Sequence, residues 1–100
     1  MKKQVKQQPY VVITTDRDKR GVFGGYLKSR EDNNIVVLED ARMAVYWSAE
    51  THGVLGLASI GPQQGSRITP PVPQITLYGV TSISVATPDA QKQWELGLWN

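Results

Sequence analysis

The chain has no cysteine, which excludes a disulfide framework, a thiolate nucleophile and a thiolate-bound metal. It has one histidine, His52, so any imidazole-based triad would rest on a single residue. His52 follows the turn-like stretch Ser48-Ala-Glu-Thr51 and precedes Gly53, and is expected as an exposed loop residue. No Gly-x-Ser-x-Gly nucleophile elbow, phosphate-cradling Walker motif or dinucleotide glycine fingerprint is present. Two carboxylate pairs, Glu31-Asp32 and Glu39-Asp40, fall at predicted turns or strand ends. Adjacent strand residues point to opposite faces, which works against shared metal or acid/base duty. The expectation is a protein without enzymatic activity, cofactor or metal. No apolar run is long enough for a signal sequence or a membrane span, so a cytosolic setting without a membrane partner is expected.

Charge is scarce in the second half. Between Thr51 and Pro88 the only formal charge is Arg67. It sits in a stiff loop, Gly61 to Pro73, that holds four of the six prolines. Guanidinium stays charged at any working pH, and burying it unpaired is costly, so the loop should deliver it to a carboxylate, a bound anion or a neighbouring subunit. Ser66 and Thr69 flank it and join the candidate ligand-binding set. The net charge of +2 conceals an uneven distribution, because the first twenty residues hold six Lys or Arg against two Asp. Residues 1–8 read as a flexible basic arm and residues 9–100 as one β-rich domain. Three lysines with no interleaved arginine or aromatic residue suit a solubilising tail better than a nucleic-acid contact. One hundred residues hide only about two-thirds of the unfolded surface, so a homo-oligomer is the default.

The period of the apolar residues is mostly β. Tyr10 to Thr15 is a β-branched strand, and Asp16 to Gly21 has turn composition. Val22 to Lys28 should pair with Ile35 to Glu39 through the turn Glu31 to Asn34. Asp40-Ala41 then leads into a further strand, Arg42 to Trp47. Gly24-Gly25 in mid-strand implies a bulge, a bend or the close approach of another group. Gly53 to Ile60 reads as a short helix. Gln74 to Tyr78 and Thr81 to Ala86 alternate around Gly79 as two strands or one kinked strand. Thr87-Pro88-Asp89 is a helix start with a cap, a first-turn proline and an acid at the positive end of the dipole. That helix should run to about Leu96. The expected fold is mainly β (α+β): a curled antiparallel sheet or small barrel of five to seven strands, with a short middle helix and a C-terminal helix.

Binding chemistry is better represented than catalysis. Alternation places Arg42, Ala44 and Tyr46 on one strand face and Met43, Val45 and Trp47 on the other, so Arg42 and Tyr46 together offer a phosphate partner and a stacking ring. The plainer alternative makes Tyr46 and Trp47 core or interface residues and pairs Arg42 with Glu39 or Asp40. The expected ligand-binding set is Arg42, Tyr46, Trp47, Ser66, Arg67 and Thr69. At the chain end, Trp94 should be core and Trp99 should meet a partner subunit, because exposing such an apolar load leaves a sticky patch.

Gly21-Val-Phe-Gly-Gly-Tyr-Leu-Lys-Ser-Arg30, Val36-Val-Leu-Glu-Asp-Ala-Arg42, Tyr46-Trp47 and Ile75-Thr-Leu with Val80-Thr-Ser-Ile83 together resemble a family of small bacteriophage and prophage proteins. The resemblance spans about Val11 to Trp99. It departs in the middle, where Pro62 to Pro73 is longer and richer in proline. It implies a phage setting in the cytoplasm of an infected bacterial host. In that setting, an oligomeric sponge for cyclic nucleotide immune signals, of the anti-CBASS kind, needs arginines for phosphates and rings for bases, but no chemistry. The alternatives are a virion structural or assembly protein, and a nucleic-acid-binding regulator using Lys2, Lys3, Lys6, Arg17, Lys19 and Arg20.

Overall fold

The structure is a computed structural model that describes residues 8–16, 21–32 and 34–99. Strand β1 spans Tyr10–Thr15, as its β-branched run predicts. Tyr10, Val11, Val12 and Ile13 are all buried, so β1 is covered on both faces. Its two-residue period divides them between two cores. Val11 and Ile13 join Val36, Leu38, Ala41 and Leu77, while Tyr10 and Val12 join Ala44, Leu57, Ala58, Ile68 and Trp94. Most of the expected arm, Met1 to Lys6 and Gln7, lies outside the described residues. Gln8 is described and donates from Nε2 to Glu39 Oε1 at 2.9 Å.

Strands β2 (Gly21–Asp32) and β3 (Ile35–Tyr46) form a long antiparallel hairpin. Asp40-Ala41 does not end a strand as expected; β3 continues through it as a bulge. Asp40 adopts a φ of 51°, and the register shifts so that Asp40 and Ala41 together oppose Gly25. The glycine pair has two separate jobs. A Cβ on Gly25 would lie 3.0 Å from the Glu39 carbonyl oxygen, and a Cβ on Gly24 would lie 2.7 Å from the Trp94 ring. The close approach is therefore made by a bulged strand and an indole of the same chain.

The far edge of β3 carries two partners. The short strand β4 (Arg67–Ile68) runs beside its Ala44–Tyr46 end, and β5 (Val72–Tyr78) runs beside Ile35 to Ala41. The segment from Gly61 to Pro73, expected as a stiff loop, thus contains one strand and the start of another. Strand β6 (Val80–Val85) pairs with β1 at the other margin, and Gly79 alone separates it from β5. The result is six antiparallel strands in a curled, unclosed sheet in the order β4-β3-β2-β1-β6, with β5 also on β3.

Two helices cover the Tyr10/Val12 face: α1 (Gly53–Ser59) and α2 (Pro88–Leu96). The Thr87 hydroxyl starts α2 by accepting from the Ala90 N–H at 3.0 Å, and it donates to the Ser59 carbonyl at 2.8 Å. One side chain therefore caps α2 and ties it to α1. Trp94 is wholly buried, and its indole N–H donates to the Leu57 carbonyl at 3.0 Å. No helix among the described residues is long and apolar enough to cross a membrane.

Because the Trp94 ring fills the space over Gly24, Gly24→Ala should lower stability by about 1–3 kcal/mol through overpacking. Urea unfolding monitored by tryptophan fluorescence reads this directly, and an unchanged midpoint would contradict the placement of the indole.

Candidate ligand-binding site

Arg42 lies on β3 just past the bulge, opposite Gly24, and so on the face that the helices cover. Its guanidinium spans two elements, with Nη1 donating to the Thr69 carbonyl at 3.2 Å and Nη2 to the Glu95 carbonyl at 3.5 Å. A cation at the C-terminal end of α2 also suits the helix dipole. Gly97 makes the approach possible. It ends the helix at a φ of 66°, a left-handed conformation that glycine adopts without penalty. A Cβ there would lie 2.7 Å from Arg42 Nη1.

Thr69 is fixed against the opposite side of Arg42. Its N–H donates to the Met43 carbonyl at 3.0 Å, and its hydroxyl accepts from the Met43 N–H at 2.9 Å. Beyond Gly97 the chain turns back along β4, where the Ile68 N–H donates to the Leu98 carbonyl at 2.6 Å and Arg67 bridges to Trp99. The Arg67 guanidinium carbon is 6.0 Å from the centre of the Trp99 ring, at the outer range of a cation–π contact. These segments enclose a pocket of about 440 Å³ whose walls include Arg42, Thr69, Pro70, Pro71, Leu96 and Trp99.

A second compartment of about 320 Å³ adjoins it, lined by Tyr10, Asp40, Arg42, Pro71 and Glu95. The two share Arg42 and Pro71. The bulge that raises Asp40 also shapes this wall. Glu95 is held by Tyr26, whose hydroxyl donates to Oε2 at 2.6 Å while accepting from Gln91 Nε2 at 2.9 Å. The Tyr26 phenol is pushed up to about 12, first by burial and then by its hydrogen bond to the Glu95 carboxylate and that group's charge. The Tyr10 phenol is raised further, chiefly by burial and against the lowering effect of Arg42. Both phenols are neutral at physiological pH.

The six residues expected from sequence do not form one site. Arg42 and Thr69 line the larger pocket, and Arg67 reaches it through Trp99. Tyr46 is exposed and pairs with Arg67 along the backbone. Trp47 packs against the Tyr10/Val12 core and borders a separate hollow with Val22 and Met43. Ser66 is fully buried, where its hydroxyl accepts from the Ser48 N–H at 3.1 Å and lies 3.5 Å from the Thr51 hydroxyl. The expected division of β3 into a recognising face and an apolar face also fails: Ala44 is buried and Val45 exposed. The helices cover the Arg42/Ala44 face, and a register shift between Ala44 and Tyr46 breaks the alternation. Sequence reasoning missed Tyr10, Asp40, Glu95 and Leu96, which lie on three distant elements. The heavy apolar end of the chain was the only local signal. His52 is exposed, as expected. Among the described residues no group of three or more His, Asp or Glu could hold a metal ion.

Fold and pocket together define a small, mainly β protein with a mixed apolar and charged cleft at the end of its C-terminal helix. The chain belongs to the family described as "Domain of unknown function (DUF6948)", whose model matches residues 8–94. Glu95, Leu96, Gly97 and Trp99 lie beyond that match. No curated protein and no solved structure matches the chain significantly.

Two measurements check this geometry. Ser66→Ala strands the buried Ser48 N–H and should lower stability by about 1–3 kcal/mol in urea titration; a shift below about 0.5 kcal/mol would contradict the hydroxyl network. Tyr26 has a folded-state pKa raised above its ordinary value of 10.0. Its contribution to stability is therefore complete below pH 10 and is lost as pH rises through about 12. The wild type should lose stability over that window faster than Tyr26→Phe, and parallel pH profiles would count against the shift.

Proposed function

We propose that this protein is a non-catalytic, phage-encoded homo-oligomer that sequesters cyclic nucleotide immune signals in the cytoplasm of its bacterial host. The observation that carries this reading is the two-compartment cleft, where Trp99 offers a ring, Arg42 a guanidinium and Pro70-Pro71 a stiff wall. Its larger part, about 440 Å³, falls within the usual range of about 300–1,000 Å³ for small-ligand sites. The two hydrogen bonds to Thr69 and Glu95 leave Arg42 with further N–H donors. Arg67, over the Trp99 ring, places a second cation beside the cleft. A stacked base contributes about 1–3 kcal/mol, and a hydrogen bond to a charged group about 1.5–3 kcal/mol. Sequestration requires no bond to be made or broken, only a slow off-rate.

A second reading, a virion assembly protein, is favoured by one feature. Leu96 is 65% exposed and Trp99 55%, and both border the same cleft, so a neighbouring subunit would also suit it. Trp94 contributes nothing to such an interface, being enclosed in its own chain.

Calorimetry against cyclic di- and trinucleotides and ADP-ribose derivatives tests the first reading, with Trp99→Ala and Arg67→Ala alongside. The expected result is submicromolar binding that weakens about tenfold or more in Trp99→Ala, from the lost stack, with the ligand recovered intact after denaturation. Absence of binding across the panel would move the weight to assembly, for which purified particles should then contain the protein.

A further inference from the structure

Strand β6 ends the sheet on an edge that no strand among the described residues covers. Just past it, the Ala86 N–H donates to the Tyr10 carbonyl at 2.8 Å. In an antiparallel ladder, residues bonded in this way alternate with residues whose N–H and C=O point away from the partner strand. Ser84, opposite Val12, is therefore bonded to β1, whereas Ile83 and Val85 turn their backbone groups outward. No described residue bonds to those outward groups. A row of such donors and acceptors is a template for another strand.

The opposite margin is protected. The Ile68 N–H of β4 is taken by the Leu98 carbonyl and Arg67 bridges to Trp99, while β5 contains Pro73, which has no N–H to offer. Strand β6 has no proline and no charged residue. Its register passes from Thr14↔Ser82 to Thr15↔Val80, so Thr81 is bulged and residues 82–85 form the straight part of the edge. Ile83 packs against the Val11/Ile13 core, but Val85 is 69% exposed although its neighbour on β1, Val11, is buried. The apolar face of the sheet thus continues to the rim and stops without a flanking residue.

We infer that the protein dimerises through β6, pairing it antiparallel with the same strand of a second copy around a two-fold axis at Ser84. In that register Ile83 exchanges backbone hydrogen bonds with Val85 of the partner subunit, and Val85 with Ile83 of the partner subunit. Each Val85 gains the aliphatic neighbour that its own chain does not provide. The pairing is antiparallel, as is every strand pair within the sheet. It opposes no like charges, because Arg67, the only charge between Thr51 and Pro88, lies on β4 at the other margin. A two-fold contact of this kind closes on itself and uses up both edges. The inference deepens the homo-oligomer part of the reading above and rests on that part alone, since Ile83, Ser84 and Val85 do not line the cleft.

Sedimentation of the full chain and of Val85→Lys across a range of concentrations tests it, together with oxidative cross-linking of Ser84→Cys and Ser82→Cys in a chain that has no cysteine of its own. The wild type should sediment as a dimer, and a lysine on this edge should weaken association about tenfold or more. At a dilution where both are monomeric, the two should melt alike. Ser84→Cys should form a disulfide-linked dimer readily, because the two Cα atoms oppose each other at about 4.5 Å, within the range a disulfide spans. Ser82→Cys should not, because its two copies lie about 13 Å apart along the strands. A wild type that stays monomeric at every concentration overturns the inference and the homo-oligomer reading with it. An oligomer that Val85→Lys leaves intact, or cross-linking no faster at Ser84→Cys than at Ser82→Cys, overturns the β6 interface alone.

Discussion

The Trp94 indole is the contact on which the rest of the molecule depends. Its ring lies over Gly24 of β2, its N–H is bonded to the Leu57 carbonyl of α1, and its own helix carries the residues that bound the cleft. A buried tryptophan removes about 150–250 Å² from water, worth about 4–6 kcal/mol before ordering costs. The position of α2 over the sheet, and hence of Glu95, Leu96 and Gly97 around Arg42, follows from that one seat. Gly24 makes the seat available, because any side chain there would displace the ring.

Arg42 is the strut between two of the segments that bound the cleft. It fastens the end of α2 to the Thr69 segment with two long, carbonyl-directed bonds, which fixes the wall between the compartments. Those bonds engage neutral acceptors, so the positive charge is not cancelled by them. In the proposed sequestration, the same guanidinium holds the helix end and meets the ligand's phosphate.

The parts of this molecule legible in its sequence are those set by neighbours in the chain. Thr87-Pro88-Asp89 opens α2 because a cap, a first-turn proline and an acid act locally, and Gly97 closes it for an equally local reason. The β-branched run of β1 was similarly clear. Asp40-Ala41 misled because a bulge and a turn draw on the same residue types, and only the partner strand decides between them. Ser66 has the composition of a ligand contact but is enclosed by Ser48 and Thr51, a proximity that no local pattern encodes. Tyr46 left the expected face because of a register shift opposite β4. The cleft was only partly visible, since Tyr10, Asp40 and Glu95 converge from β1, the bulge in β3 and the last turn of α2.

The placement of β1 inside the sheet, between β2 and the margin strand β6, constrains how the chain reaches this structure. One of its edges pairs with β2, which follows within a few residues, but the other waits for β6, with Thr14 opposite Ser82. On a ribosome this apolar strand would emerge before both of the strands that pair with it and be fully sheltered only once β6 had followed. Pairings so distant in sequence slow the conformational search, and an uncovered strand edge is a template for association with another chain. The interval between synthesis of β1 and arrival of β6 and α2 is thus the stage at which this small domain is most exposed to aggregation.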